Sequence, residues 1–583
     1  MNTIFRHLRL KFPHWLAVGL CLSILWSCGT GLPTVDSTES AEKVLLENVL
    51  PNIQVEDNLV SDQLAARYSV DQIDDPLPAL DTFPLYSAEP STDANTVYVE
   101  IFSSSEKANA EKQDERWLVD VADAFNAQQP TTGTGQPIRV GVRNVPSGLA
   151  VRILAENGAK PAGYTPANAL WLQMLRQQSV GLTDVAESLA PNYAGFVVQE
   201  SVYQELGGNE VSFDKLLDAI LGGRLKVGYP NPYASSTALN LLYTLLWRGA
   251  GHDKDGQPLT VAELQLPQIS SLFEAFQKQV LITTRTTLDL KEIFIRDPDK
   301  LQAFPLEYQS YVTLKQLPGF EQTGFIPFGV PHNSPLVGFE WNTPAQQEAL
   351  QKFADFALSP DMQQLAKQQG FEETAYLRSK NFPPLPSGEI LTEAQSFWKQ
   401  RKDGGRTVYM MVVIDTSGSM EGDRLQSVKE GLKLASKDIN SGNYVGLVTF
   451  GDRPVRRLPL AAYDTLQQQK LLAAVDDLTA DGSTAMYDGV MVALSELMQQ
   501  RKTNPDGRFY LLLLSDGETN QGFAFDQIKD VLAYSDVRFY PIAYGEVNQE
   551  ELQAIASLRE STVQQGNPAN VQNLLRDLFQ TNL

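Results

Sequence analysis

Cysteine is almost absent from this chain. Both cysteines, Cys21 and Cys28, fall within the first 28 of 583 residues. The body therefore has no disulfide framework and no thiolate-held metal. Histidine is nearly as scarce: of His7, His14, His252 and His332, only the last two lie beyond the N-terminal segment. A Ser-His-Asp hydrolase finds no nucleophile motif, and no G-x-x-x-x-G-K-[ST] run supports a phosphate-loop ATPase. These gaps argue against an enzyme. Cations are in deficit, 47 Lys and Arg against 70 Asp and Glu, for a formal net charge of −23. That excludes the basic footprint nucleic acid requires. The apolar run Trp15–Trp26 is about a dozen residues long, short of a membrane span.

What remains is a chain that is 43% apolar, enough for sizeable cores. Its length predicts about three or four domains. Residues 1–28 read as an export signal, with Arg6, Arg9 and Lys11 before the apolar run. The stretch Leu25-Trp26-Ser27-Cys28-Gly29 resembles a bacterial lipoprotein signal, although Trp26 departs from the usual small or aliphatic residue. The resemblance implies cleavage before Cys28, lipidation of its thiol, and a cell-membrane anchor facing the periplasm or exterior. Several acyl chains make such an anchor stable where one does not. Residues 29–95 are acidic and rich in Ser and Pro, with Lys43 and Arg67 their only cations, and read as a disordered spacer.

Residues 96–400 repeat one device: a strand, a hydroxyl-rich turn, a helix. The strand Thr96–Phe102 ends in Ser103-Ser104-Ser105, and Ile138–Val142 leads to Ser147-Gly148. Leu225–Tyr229 runs into Pro230-Asn231-Pro232 and then Ser235-Ser236-Thr237, opening a helix over 238–247. Hydroxyls and free N–H groups at helix starts bind anions and polar solutes, although each such Ser or Thr also serves as an ordinary N-cap. Strands are expected again at 302–308 and 324–328. The runs K-V-G-Y-P-N-P-Y-A-S-S-T and L-S-P-D-M-Q-Q-L-A-K-Q-Q-G-F resemble the two-lobed extracellular solute-binding proteins. The resemblance implies two α/β lobes with a cleft between them, and places Ser103, Ser104, Ser147, Ser235, Ser236, Thr237 and Tyr308 beside it. The charged stretch Lys107–Glu115 departs from the family's first loop. Residues 380–404, punctuated by Pro, Gly and charge, read as a hinge.

The C-terminal stretch is organised around Val408–Ile414, an apolar run suited to a strand buried on both faces. It ends in Asp415-Thr416-Ser417-Gly418-Ser419, where three oxygen side chains alternate into one turn. Two further pieces are Asp481-Gly482-Ser483-Thr484 and a second apolar strand ending in Ser515-Asp516-Gly517. The pentapeptide alone is also an ordinary Asx or Ser turn; the two later pieces are what point to a site. Hard oxygen donors suit Mg²⁺, Mn²⁺ or Ca²⁺. The order D-T-S-G-S, G-S-T, L-S-D-G-E-T resembles the von Willebrand factor type A family and its metal-ion-dependent adhesion site. The resemblance spans residues 404–583 and implies that Asp415, Ser417, Ser419, Thr484 and Asp516 surround a divalent cation completed by a partner's carboxylate. Asp423 and Glu518 flank these loops, either tuning the site or standing as solvated charges. Alternating strands and helices here predict a doubly wound parallel sheet. The whole reads as an exported, lipid-anchored binding protein, with a partner docking on the metal and a ligand in the middle domain. The rival reading is a solute receptor of an ABC-type importer carrying an accessory docking domain.

Overall fold

The structure is a computed structural model that describes residues 32–113, 115–372, 382–516, 519–545, 549–558 and 561–583. The export signal, Cys28 and Glu518 lie outside the described residues.

Val408–Asp415 is buried along its whole length and forms the middle strand of a seven-stranded sheet. Its side chains alternate as the pleat requires. Tyr409, Met411 and Val413 enter one core with the helix Met486–Thr503. Val408, Met410, Val412 and Ile414 enter the other with Asp423–Ala435 and Val571–Asn582. Tyr444–Phe450 and Arg508–Ser515 flank it in parallel, and Arg538–Tyr544 adds to the latter. Helices on both faces of a largely parallel sheet make this the doubly wound fold expected. Two further strands were not foreseen. Pro454–Ala462 returns antiparallel to Tyr444–Phe450, and Gln564–Gly566 pairs with Arg538–Tyr544. The first carries two prolines and two arginines and the second is three residues long, so neither has the apolar signature of a buried strand.

The middle domain has two sheets. Six strands, including Val97–Ser103, Ile138–Asn144 and Leu336–Phe339, build one lobe; five, including Ala194–Val198, Val227–Pro230 and Ala303–Glu307, build the other. The chain enters the second lobe after residue 186 and returns to the first at Leu336.

Residues 32–95 are not a disordered spacer. Val35, Ala41, Val44, Leu45 and Val49 are buried in the same core as Met411 and Val413. Glu56–Asp57 pairs in parallel with Pro454–Ala462 and forms the sheet's outermost strand, and Leu85–Tyr86 joins the first lobe of the middle domain. The acidity that suggested self-repulsion is matched by cations: Glu42 with Lys502 at 2.7 Å, Asp57 with Arg456 at 2.6 Å and Asp62 with Lys470 at 2.7 Å. Asp75 joins Arg152 of the middle domain, 2.9 Å away, to Arg576 of the C-terminal domain, 2.8 Å away. A short apolar stripe gains burial only against a surface elsewhere in the chain, which local composition does not reveal.

The expected hinge is also corrected. Gly388–Arg401 is a helix capped by Ser387, and Ile390, Leu391, Ala394, Phe397 and Trp398 sit in the middle domain's core. Trp398 donates its indole N–H to the Tyr229 hydroxyl at 2.6 Å.

Candidate functional site

The C-terminal edge of the sheet brings Asp415 and Asp516 together, because Asp415 ends one of two adjacent parallel strands and Asp516 follows the other. Asp415 is fully buried. Its Oδ1 accepts from the Ser417 amide at 2.9 Å and the Ser417 hydroxyl at 2.6 Å, and its Oδ2 from the Ser515 hydroxyl at 2.8 Å. The Ser417 and Ser419 hydroxyls lie 3.0 Å apart, and Ser419 donates to Asp516 Oδ1 at 2.7 Å. Four of the five expected ligands are therefore one continuous oxygen network. Thr484, also buried, belongs to the loop bonded onto this one: Gly418 donates to the Gly482 carbonyl at 3.0 Å and Asp481 to the Thr416 carbonyl at 2.8 Å. Gly482 has φ +81°, and a Cβ there would lie 2.7 Å from the Asp452 carboxylate, whose Oδ1 accepts from the Ser483 amide. The turn thus needs glycine to hold the two loops together.

Burial pushes the Asp415 carboxyl above the usual range, opposed by the Ser417 and Ser515 hydrogen bonds and reinforced by the negative charge of Asp516. Two neighbouring carboxylates and three hydroxyls, with no thiolate or imidazole among the expected ligands, fit a hard divalent cation. Among the described residues no three His, Cys, Asp or Glu side chains are placed so that they alone could hold a metal ion, and the hydroxyls are the further oxygen donors at this site. The sequence did not single out Arg424. Its Nη1 lies 2.6 Å from Asp516 Oδ2 and 3.3 Å from the Ser419 carbonyl, balancing the carboxylate's charge. Arg424 is the second residue of the helix Asp423–Ala435, and nothing in the spacing announces that it folds back. Ser515 was likewise missed as an Asp415 partner. Asp423 is the first residue of that helix.

In the middle domain a cleft of about 380 Å³ is lined by Ser104, Ser147, Ser235 and Ser236. Ser147 and Ser236, from opposite lobes, lie 3.3 Å apart, and Trp171 donates to Ser236 at 2.8 Å. Ser235 also caps its helix, accepting from the Ala238 amide at 3.3 Å. Three expected contacts do not line this cleft. Ser103 is fully buried and donates to the Ser104 carbonyl; Thr237 is sealed behind the wall against Glu307. Tyr308 opens the helix Tyr308–Leu314 and faces a separate groove with Tyr203, Tyr311 and Phe325. Tyr308 follows the strand Ala303–Glu307 directly and begins the next helix, which turns its side chain away from the cleft.

Residues the sequence did not single out complete the cleft: Glu106, Glu115, Asp289, Glu292 and Glu307, against Lys112 and Arg285. The inserted charged stretch thus lines the wall. Lys107 is fully buried beside it, 3.1 Å from Glu106; burial lowers its ammonium below the usual lysine value, opposed by Glu106. The cleft also includes Asp577 of the C-terminal domain, 3.9 Å from Arg285. Burial pushes the Asp577 carboxyl up to about 6, against the pull of Arg285 and Arg576. An excess of carboxylates disfavours an anionic solute and suits a cation or a neutral hydrogen-bonding one.

Residues 410–577 match the von Willebrand factor type A domain, and residues 115–372 match the bacterial extracellular solute-binding protein family. Pig (Sus scrofa) inter-alpha-trypsin inhibitor heavy chain H4 is 31% identical over 122 residues, 19% of this chain and 12% of that protein. An uncharacterized protein of Synechocystis sp. is 25% identical over 175 residues, 29% of this chain and 40% of that one. The chain spans between 12% and 40% of the curated relatives it matches. Among solved structures, the von Willebrand factor type A protein from Catenulispora acidiphila is 22% identical, covering 30% of this chain and 42% of that one, with TM-score 0.27. Iron-bound HitA from Pseudomonas aeruginosa is 15% identical, covering 53% of this chain and 99% of that one, with TM-score 0.37. No helix among the described residues is long and apolar enough to cross a membrane. The chain joins a two-lobed bacterial extracellular solute-binding domain to a von Willebrand factor type A domain that follows it.

Proposed function

We propose that this is a binding protein rather than an enzyme, in which the C-terminal domain docks a protein partner through a divalent cation and the middle domain captures a small solute. The observation that carries the reading is the oxygen network linking Asp415, Ser417, Ser419 and Asp516 at the carboxyl edge of the sheet. With Thr484, these residues hold a cation such as Mg²⁺, Mn²⁺ or Ca²⁺. The cation supplies an open position for a carboxylate from the partner. The protein's part is to fix the oxygens: Ser417 and Ser515 hold Asp415, and Ser419 holds Asp516. A Glu-bearing peptide is the direct probe. Retention by the full chain in Mg²⁺ and loss in EDTA is expected; equal retention in both contradicts a metal-bridged contact.

The solute reading rests on the cleft between the lobes, already bridged at Ser147 and Ser236. Export and lipid anchoring at Cys28 belong to the same proposal. Cys28→Ser is expected to move the protein from the membrane fraction to the soluble exported fraction; unchanged fractionation contradicts the anchor.

A further inference from the structure

Glu307 ends a strand of the second lobe, is buried, and lines the solute cleft. Behind it lies His332, buried on the stretch that carries the chain back to the first lobe. The His332 Nε2 is 2.9 Å from Asn168 Nδ2 and 3.1 Å from Asn240 Nδ2. Both amides are fixed in orientation: Asn168 Oδ1 accepts from the Leu170 amide at 3.1 Å, and Asn240 Oδ1 from the Val330 amide at 2.8 Å. Two donors therefore face Nε2, so it accepts, and the hydrogen-bond network assigns the ring proton to Nδ1. That Nδ1 lies 3.7 Å from Glu307 Oε1 and has no hydrogen-bond partner among the described residues. The ring offers Glu307 a dipole rather than a charge.

The fully buried Thr237 hydroxyl donates to the same Oε1. Among the described residues, no donor from another residue meets Oε2. Burial raises the Glu307 carboxyl, but the His332 ring and the Thr237 hydroxyl outweigh it and hold the group below the usual glutamate value. The cations nearby are committed elsewhere. Lys107 donates to Ser104 Oγ at 2.5 Å and to Glu106 at 3.1 Å, and Glu307 acts on it only through the field. Lys112 stands 4.0 Å from Glu115, and Arg285 3.9 Å from Asp577. A buried carboxylate without a paired cation is costly, and a ligand that brings the cation recovers that cost.

From this geometry we infer that Glu307 is the anchor of the solute, and that the solute is a small hydroxylated primary amine whose ammonium group supplies the counter-ion Glu307 lacks. His332 and Thr237 are positioning residues that hold one carboxylate oxygen and leave the other to the ligand. The inference rests on the reading of the middle domain as a solute-capturing module. The cleft's about 380 Å³ is far more than a bare ion occupies, and Ser104, Ser147, Ser236 and Ser310 on its walls suit a solute with hydroxyls of its own.

The test is calorimetric titration of the full chain with glucosamine, glucose and glucuronate, three molecules of one size and of positive, neutral and negative charge. It is run at fixed ionic strength and at a pH where the amine is protonated. The wild type is expected to bind glucosamine saturably and each of the others about tenfold more weakly or worse. Glu307→Gln is expected to weaken glucosamine binding about tenfold or more, and Glu307→Asp, which keeps the charge on a shorter arm, to weaken it less. Melting curves without solute check each fold, and the wild-type selectivity depends on neither variant. Absent glucosamine binding, equal binding of glucose, or binding undiminished in both variants would overturn the inference. Glucose or glucuronate bound in preference would overturn the ammonium assignment and leave solute capture standing; binding of none of the three counts against both.

Discussion

Arg424 and a divalent ion make rival claims on Asp516. The guanidinium sits 2.6 Å from Oδ2 and is itself about half exposed, so it can leave the carboxylate at little cost. Removing it leaves Asp516 to Ser419 and the cation. Arg424→Ala is expected to tighten Mn²⁺ binding by about tenfold, equivalent to about 1.4 kcal/mol. Weaker binding in the variant, measured by calorimetry, would show that Arg424 supports the loops instead. Asp577 is the second telling residue. Burial pushes its folded carboxyl up to about 6, above the ordinary carboxylate value. The fold therefore binds this proton more tightly than the unfolded chain does, and stability is lost as pH rises from about 4 through 6. Asp577→Asn removes that loss. The side chain is partly exposed, which discounts the effect to about 1–2 kcal/mol at pH 7.5, disappearing near pH 4. Thermal melts at both pH values check this; an equal shift at each contradicts it.

Two elements behave in ways their local sequence conceals. The N-terminal strap supplies Leu45, fully buried in the core behind Met411 and Val413. Leu45→Ala is expected to destabilise the C-terminal domain by about 2–4 kcal/mol, read as a lowered urea midpoint. An unchanged midpoint would mean that the strap only lies on the surface. In the middle domain, Gly148 in the first turn of its helix lets the two lobes meet. A Cβ there would fall 1.8 Å from the Tyr233 carbonyl oxygen, a backbone atom that has no rotamer to yield. Gly148→Ala is expected to part the lobes and enlarge the radius of gyration in small-angle scattering. An unchanged radius with Ser147 and Ser236 still in contact contradicts the closed cleft.

At the scale of the whole molecule, legibility follows locality. The apolar strands Val408–Ile414 and Leu511–Leu514 announce themselves because they are buried on both faces, and the helices after them have a clean period. Asp415, Ser417 and Ser419 are legible because one turn holds all three. Arg424, Ser515 and Asp577 are not, because their partners come from other elements. The strap was misread for the same reason: its acidic composition is offset by Lys502, Arg456 and Lys470, which lie more than 390 residues away in sequence. The cleft shows both outcomes, with Ser147 and Ser236 meeting across it and Tyr308 turned into another groove. The strap also determines how the central claim must be tested, since a fragment beginning at 404 would expose the core that residues 35–53 cover. The direct measurement is calorimetric titration of the full chain with Mg²⁺, Mn²⁺ and Ca²⁺, beside Asp415→Ala of matched melting behaviour. One divalent site, abolished by the substitution, is the predicted result. Absence of binding by the wild type in the presence of a carboxylate peptide, or equal binding by Asp415→Ala, would contradict the account.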